Sequence, residues 1–349
     1  MAAFDIDLYR YLLRPLLFRL SAERAQKAAE FTLKRRSVWR ALAPTFHVDD
    51  LYLSTQLCGI ALSSPVGLAA GFDKNCEMLS ALSTLGFGYL TCGTVTELAR
   101  PGNPKPRMLR LVREQSLINA LGFPNKGVDW CARQLESFRE KGNRTPLIVS
   151  ISGTVAEEIV RCHRRLEPLA DAVEVNISSP NTAGLRVFHE PSALGELVER
   201  INENRTRPLM VKMPAYPAVR PAPDEERDKA LALAKICRAT GVDALTVANS
   251  RPTEDSRLSM GTGGLSGKAI FDDMLQMVAD TKSEVGDRPA INACGGIFSG
   301  EDAWRALKAG AGTVQLYTGF VYRGPGAVKR IKRELLATMR REGVETLGR

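Results

Sequence analysis

The chain has 349 residues, of which 44% are hydrophobic and 25% charged, enough for one large or two ordinary globular domains. Its formal net charge of +9 points to an anionic partner, and the lack of a zinc knuckle, an RNA-binding signature or a basic-aromatic stripe weighs against nucleic acid. Seven scattered cysteines without a CxxC pair, three isolated histidines and no long apolar run argue against a disulfide framework, a Cys- or His-ligated metal, a histidine-based triad and a membrane span.

Residues 4–20 form the first predicted element. Arg10, Arg14 and Arg19 interrupt a broad face of Leu, Phe and Tyr, without a signal peptide's basic start or cleavage site. Ser21 caps a second predicted helix over 22–36. A basic amphipathic pair ahead of a domain fits attachment at a membrane interface. The plain alternative is a helical hairpin packed on its own domain or on a dimer partner. A proline-containing link, Ala43-Pro44-Thr45-Phe46, leads to a predicted short hairpin at 49–63.

From residue 64 short apolar strands alternate with helical segments. The strands are expected at 66–69, 89–93, 147–151, 172–176, 209–213, 244–248, 290–294 and 313–317. Helices are expected near 75–85, 126–141, 155–168, 191–204, 225–240, 268–285, 300–309 and 325–341. Apolar strands alternating with helices imply a parallel sheet covered by helices. Eight such units predict the α/β class and a (β/α)8 TIM barrel with an N-terminal two-helix extension; about 250 residues suffice for such a barrel. A doubly wound open sheet is the runner-up, and Gly67-Leu68-Ala69-Ala70-Gly71 lacks its glycine spacing. The connections 94–125 and 214–224 are too long and proline-rich for plain turns, and both would overhang the barrel's C-terminal mouth. The first contains a strand-like piece at 107–112.

Sites in such barrels gather at the C-terminal strand ends. Those ends carry Ala70, Gly71 and Lys74, then Thr94 with Asn119 and Phe123 further along the loop, then Ser150 and Ser152. Later ends carry Asn176, Ser179 and Asn181, then Lys212, then Asn249 and Ser250. Two lysines and several amides with almost no carboxylate describe a pocket for an anionic, hydrogen-bonding ligand. The stretch Asn176-Ile177-Ser178-Ser179-Pro180-Asn181-Thr182 reads on its own equally as an Asx/Ser-Pro turn or as a loop gripping a small polar ring. Gly295-Gly296 and Tyr317-Thr318-Gly319, each before a helix on the last two strands, predict a phosphate cradle. Flavin mononucleotide (FMN) would place its one phosphate there, with a lysine near its ring.

These residues resemble the quinone-dependent (class 2) dihydroorotate dehydrogenase family from about Leu20 to residue 333. The motifs that carry the likeness are Gly67-Leu68-Ala69-Ala70-Gly71-Phe72-Asp73-Lys74, Gly93-Thr94-Val95-Thr96, Leu117-Ile118-Asn119 with Gly122-Phe123, the 176–186 stretch, Thr262-Gly263-Gly264-Leu265-Ser266-Gly267 and Val314-Gln315-Leu316-Tyr317-Thr318-Gly319. The resemblance implies oxidation of (S)-dihydroorotate to orotate by hydride transfer to FMN, with re-oxidation by a membrane quinone, in UMP biosynthesis. The alternative is an FMN barrel oxidoreductase of the same family with another small ring substrate or another electron acceptor.

Carried over by position, Ser179 would be the base that takes the C5 proton, with Thr182 as a relay, and Lys74 and Lys212 would be catalytic. Asn119, Asn176, Asn181, Asn249 and Ser250, with Lys74, would hold the substrate. FMN would meet Ala70, Gly71, Thr94, Ser150, Asn176, Lys212 and Ala248. Its phosphate side would meet Ser266, Gly267, Gly295, Gly296, Tyr317 and Thr318. Class 1 relatives place Cys where Ser179 stands and lack the N-terminal helices. The resemblance divides the chain into a membrane- and quinone-access segment at 1–43 and an FMN-binding barrel at 44–349. Arg110 and Tyr317 would line the quinone tunnel. It implies a peripheral protein on the cytoplasmic face of a bacterial inner membrane, with no metal. The chain departs from the family's usual pattern at Gln26 (a histidine), Ser150 (an asparagine), Ser152-Gly153-Thr154 (Gly-Lys-Asn), Ala248 (a threonine) and Met213-Pro214-Ala215-Tyr216.

Overall fold

The computed structural model describes residues 7–48, 50–178, 184–219 and 224–347. A single π-helical turn, Tyr9–Leu13, runs into α1 (Arg14–Arg19), and Ser21 caps α2 (Ala22–Leu33) by accepting from the Arg24 amide. The predicted helix over 22–36 is corrected at its end. Arg35 leaves helical geometry at φ −87 and ψ 78, the Thr32 carbonyl instead accepts from Trp39 Nε1 at 2.9 Å, and a third helix, α3 (Arg36–Leu42), begins. The expected hairpin is present as β1 (Thr55–Leu57) and β2 (Ile60–Leu62).

The repeating part begins with β3 (Val66–Leu68), α4 (Leu79–Leu82) and β4 (Tyr89–Val95). The long connection that follows holds β5 (Met108–Leu111) and β6 (Ser116–Asn119). Next come α5 (Val128–Glu140), β7 (Leu147–Ile151), α6 (Ala156–Leu166), β8 (Ala172–Asn176), α7 (Pro191–Asn202), β9 (Leu209–Lys212) and α8 (Asp224–Ala239). The chain continues through β10 (Ala244–Val247), β11 (Arg251–Glu254), β12 (Thr262–Gly267), α9 (Phe271–Val285) and β13 (Ala290–Cys294). It ends with α10 (Gly300–Lys308), β14 (Thr313–Leu316), α11 (Thr318–Arg323) and α12 (Ala327–Arg341).

The eight predicted strands close into one parallel barrel in the order β10-β13-β14-β3-β4-β7-β8-β9, which removes the open-sheet alternative. Predicted helix 75–85 shrinks to four residues, because the Asp73 carboxylate accepts from the Glu77 and Met78 amides at 2.9 and 2.8 Å and holds the chain in a turn. The antiparallel sheet β11-β12-β6-β5 was foreseen only in its β5 strand. It joins the long connection after β4 to the segment after β10, pairing Asn119 with Gly264.

Alternation along each strand sorts the core. On β8, Val173 and Val175 pack with the helices in the main apolar cluster, while Ala172, Glu174 and Asn176 point the other way, into the barrel. Leu57 and Leu62 of the hairpin plug the barrel's N-terminal end against Tyr89, Ile148, Met210 and Ala244. Burying each such leucine stabilises the fold by ~1.5–3 kcal/mol. The mouth at the opposite end is left for the site.

Candidate active site

The pocket at the mouth holds about 1120 Å³ of space not filled by atoms, solvent at its opening included. The turn after β3 contributes Ala70, Gly71 and Lys74 to its lining, and β4 contributes Thr94. Asn176 and Lys212 enter from β8 and β9, which pair in register at these two residues. Asn249 and Ser250 follow β10, and Asn119 reaches in from β6. The far wall is made by Ser266 and Gly267 of β12, Gly295 and Gly296 after β13, and Tyr317 and Thr318 after β14. The structure therefore brings these residues, singled out from sequence, together with Phe123 and Gly319 in one pocket.

Two expected contacts sit differently. Ser150 is fully buried behind the wall, where its Oγ shares a hydrogen bond of 3.1 Å with Thr94 Oγ1. Ala248 is also buried and lies outside the pocket lining. Ser179, Asn181 and Thr182 lie outside the described residues. Arg110 stands where the N-terminal helices meet β5: its guanidinium lies 4.6 Å from the Phe18 ring centre and donates to the Leu17 and Leu20 carbonyls, tying α1 to β5.

A hydrogen-bonded string fixes the amides. Asn176 Nδ2 donates to Thr94 Oγ1 at 3.0 Å, and its Oδ1 accepts from the Ser178 amide and hydroxyl at 3.1 and 2.8 Å. Asn249 Nδ2 donates to Ser178 Oγ at 2.8 Å and to the Ser178 carbonyl at 3.1 Å. Each amide is thus held in one rotamer before any ligand arrives. On the far wall Ser266 Oγ and Thr318 Oγ1 share a hydrogen bond of 2.9 Å.

The two lysines carry the electrostatics. Lys74 is half-buried, and its Nζ is shut off from solvent with no hydrogen-bond partner among the described residues. Burial draws its pKa from 10.5 down to about 8, against the opposing pull of Glu30 and Asp73. Burial likewise raises Asp73 to about 6, although two backbone amides work against it. Lys212 is buried and donates to Cys294 Sγ at 3.9 Å. A buried ammonium without a partner is costly, so Lys74 is poised for an anion. Backbone approach on the phosphate side is enforced by glycine: at Gly296, with φ +71, a Cβ would meet the backbone of Phe271 at 2.6 Å.

These features fit FMN. The cradle leaves room at Gly295 and Gly296 for phosphate oxygens, the amides and Thr94 offer polar contacts, and Lys212 supplies a buried positive charge.

The family model described as dihydroorotate dehydrogenase matches residues 52–339. The chain belongs to this family. Similar curated relatives named dihydroorotate dehydrogenase (quinone) come from Gloeobacter violaceus, 38% identical over 98% of both chains, and from Roseiflexus sp., 37% identical over 96% of both. A crystal structure of DHODH from Eimeria tenella in complex with ferulenol superposes with a TM-score of 0.79 at 30% identity, covering 92% of this chain and 93% of that one. The ligand-free form gives 0.77 at 32% identity, over 89% and 96%. The protein is an oxidoreductase of this dihydroorotate dehydrogenase family.

Sequence reasoning missed Cys294 and Gln315, which form part of the pocket floor, and Met108, Leu117 and Ile270, which give it apolar walls. The signal for the floor was available: both residues occupy inward positions of their strands, in register with one another. The walls come from the antiparallel sheet and the turn after it, which carry little strand periodicity.

Proposed function

We propose that the protein oxidises (S)-dihydroorotate to orotate in UMP biosynthesis, with FMN as bound cofactor and a membrane quinone as final electron acceptor. The carrying observation is the solvent-shielded Lys74 Nζ, without a partner among the described residues and set among fixed amides, in a chain matching relatives named dihydroorotate dehydrogenase (quinone) along nearly its whole length. FMN, when bound, supplies the acceptor for the hydride leaving C6 of the substrate. Lys74 would pair with the anionic substrate and lie between it and the flavin. Asn119, Asn176, Asn249 and Ser250 orient the pyrimidine ring, with Asn181 completing the clamp. Ser179 takes the C5 proton, relayed through Thr182. No histidine stands beside the serine in sequence to activate it. The lysine-rich pocket, shielded from water, stabilises the negative charge that develops on the ring. Lys212 would hold the flavin and supply positive charge beside its ring.

Residues 1–43 act as the quinone-access and membrane segment of the barrel 44–349. Tyr11 and Phe31 are 64% and 62% exposed, and Leu12, Leu13, Leu16 and Leu42 are exposed with them. Lys34, Arg35, Arg36 and Arg40 border this apolar surface. No helix among the described residues is long and apolar enough to cross a membrane. The segment therefore lies in the interface, on the cytoplasmic face of a bacterial inner membrane.

Anaerobic dihydroorotate should bleach the flavin absorption of the purified protein, and a quinone should restore it. Persistence of the oxidised flavin spectrum with excess dihydroorotate refutes the assignment.

A further inference from the structure

Beneath the lysine end of the site the barrel is filled with polar side chains. Tyr89 Oη donates to Asn292 Oδ1 at 2.7 Å, Thr313 Oγ1 donates to the same oxygen at 3.0 Å, and Asn292 Nδ2 donates to Thr246 Oγ1 at 3.2 Å. The string ends where Thr246 Oγ1 donates to Glu174 Oε2 at 2.7 Å. Glu174 has no exposed surface, and its Oε1 has no hydrogen-bond partner among the described residues. A carboxylate placed so is costly unless a positive charge lies close by. Among the buried residues described, Lys212 is the one cation on a barrel strand.

Register brings the two together. Lys212 pairs with Asn176 on one side and with Thr246 on the other. Glu174 lies two residues before Asn176 on the same inward face of β8, and it reaches past β9 to the Thr246 hydroxyl. Glu174 therefore enters the barrel interior one inward position below the level of Lys212. Both side chains act on Cys294. Burial pushes its thiol up, Lys212 draws it down, and Glu174 pushes it further up.

We propose that Glu174 is a charge-tuning residue: a carboxylate below Lys212 in the barrel interior that offsets part of the lysine's positive charge at the cofactor. The inference rests on the assignment of FMN to this pocket. Lys212 alone would favour the electron-rich flavin strongly. A counter-charge below it in the interior holds the reduction potential down, so that the reduced cofactor gives up its electrons more readily to the acceptor. Glu174 does not line the pocket, so it acts through Lys212 rather than on substrate.

The test compares wild type with Glu174→Gln, which keeps the acceptor for Thr246 and removes the charge. Two readouts need no turnover: the flavin midpoint potential by dye equilibration, and the dissociation constant of sulfite, whose flavin adduct is favoured by positive charge near N1. Glu174→Gln should bind sulfite at least tenfold more tightly and raise the midpoint potential by about 30 mV, the equivalent of tenfold for a two-electron couple. Glu174→Val, which also removes the unpartnered oxygen, is the second arm and should shift both readouts in the same direction. Sulfite affinity within threefold of wild type and an unchanged potential in either folded variant overturn the proposal. A wild-type protein that carries no FMN, or is not bleached by dihydroorotate, instead overturns the functional assignment on which it rests.

Discussion

Replacing Lys74 by Met tests the site at one atom. Its Nζ has neither solvent nor a partner among the described residues, and burial draws its pKa from 10.5 to about 8. A fall of that size corresponds to ~3 kcal/mol against the ammonium in the ligand-free site. The sign for the fold follows directly. Between about pH 8 and 10.5 the unfolded chain holds the proton and the folded chain does not, so this lysine adds stability as pH rises through that window. Binding of orotate runs the other way. The carboxylate needs the ammonium, so above pH 8 a proton must be taken up with the ligand. Affinity should be level below about pH 7.5 and roughly tenfold weaker at pH 9, ~1.4 kcal/mol. Lys74→Met removes a charged hydrogen bond and should weaken orotate binding at pH 7 by ~10- to 150-fold, ~1.5–3 kcal/mol. It should also abolish the alkaline limb. Orotate titrations followed by the flavin spectrum measure both effects. A wild-type affinity that stays flat from pH 7 to 9, or a variant that keeps the limb, refutes this account of Lys74.

Arg110→Ala should loosen α1 from the barrel, since Arg110 holds the Leu17 and Leu20 carbonyls and covers Phe18, contacts worth ~2–4 kcal/mol together. Quinone turnover and vesicle binding should drop at least fivefold while bleaching by dihydroorotate stays within twofold; equal loss in both half-reactions counts against a separate access segment. Gly296→Ala places a methyl within 2.6 Å of the Phe271 backbone at a φ of +71, so the purified variant should retain less than half the wild-type FMN. Full occupancy would show that the cradle lies elsewhere. Leu62→Ala removes a side chain from the barrel plug and should cost ~2–5 kcal/mol, lowering Tm by roughly 3–7 °C. A drop under 2 °C would mean that the hairpin does not seal the barrel.

The barrel was legible because its strands and helices differ in period and length. Val66, Leu90, Val149 and Leu245 are buried under helices, and each sits in a short apolar run that no helix pattern matches. The site was legible as a set of polar residues that abruptly follow those runs. What the sequence hid has local causes. The α4 region reads as a helix until the Asp73 carboxylate captures the amides three and four residues past the pocket-lining Lys74. Strand β12 reads as loop because three of its six residues are glycine, and it exists only because β6 and β11 flank it. The break after α2 depends on Trp39 reaching back to Thr32, a contact no periodicity reveals.

Glu174 shows a different kind of blindness. In sequence it is one polar residue inside Ala172-Val173-Glu174-Val175-Asn176, and alternation alone says only that it shares a face with Asn176. That face turns out to be the barrel interior, where apolar Ile148 and Met210 lie toward the plug, a polar string occupies the middle, and lysine and amides form the mouth. Most of the fold's apolar burial lies on the outward faces, between strands and helices. The interior can therefore carry polar groups along its axis without losing that burial. A gradient from apolar plug to charged mouth follows, and it places a carboxylate where it can temper the lysine above it.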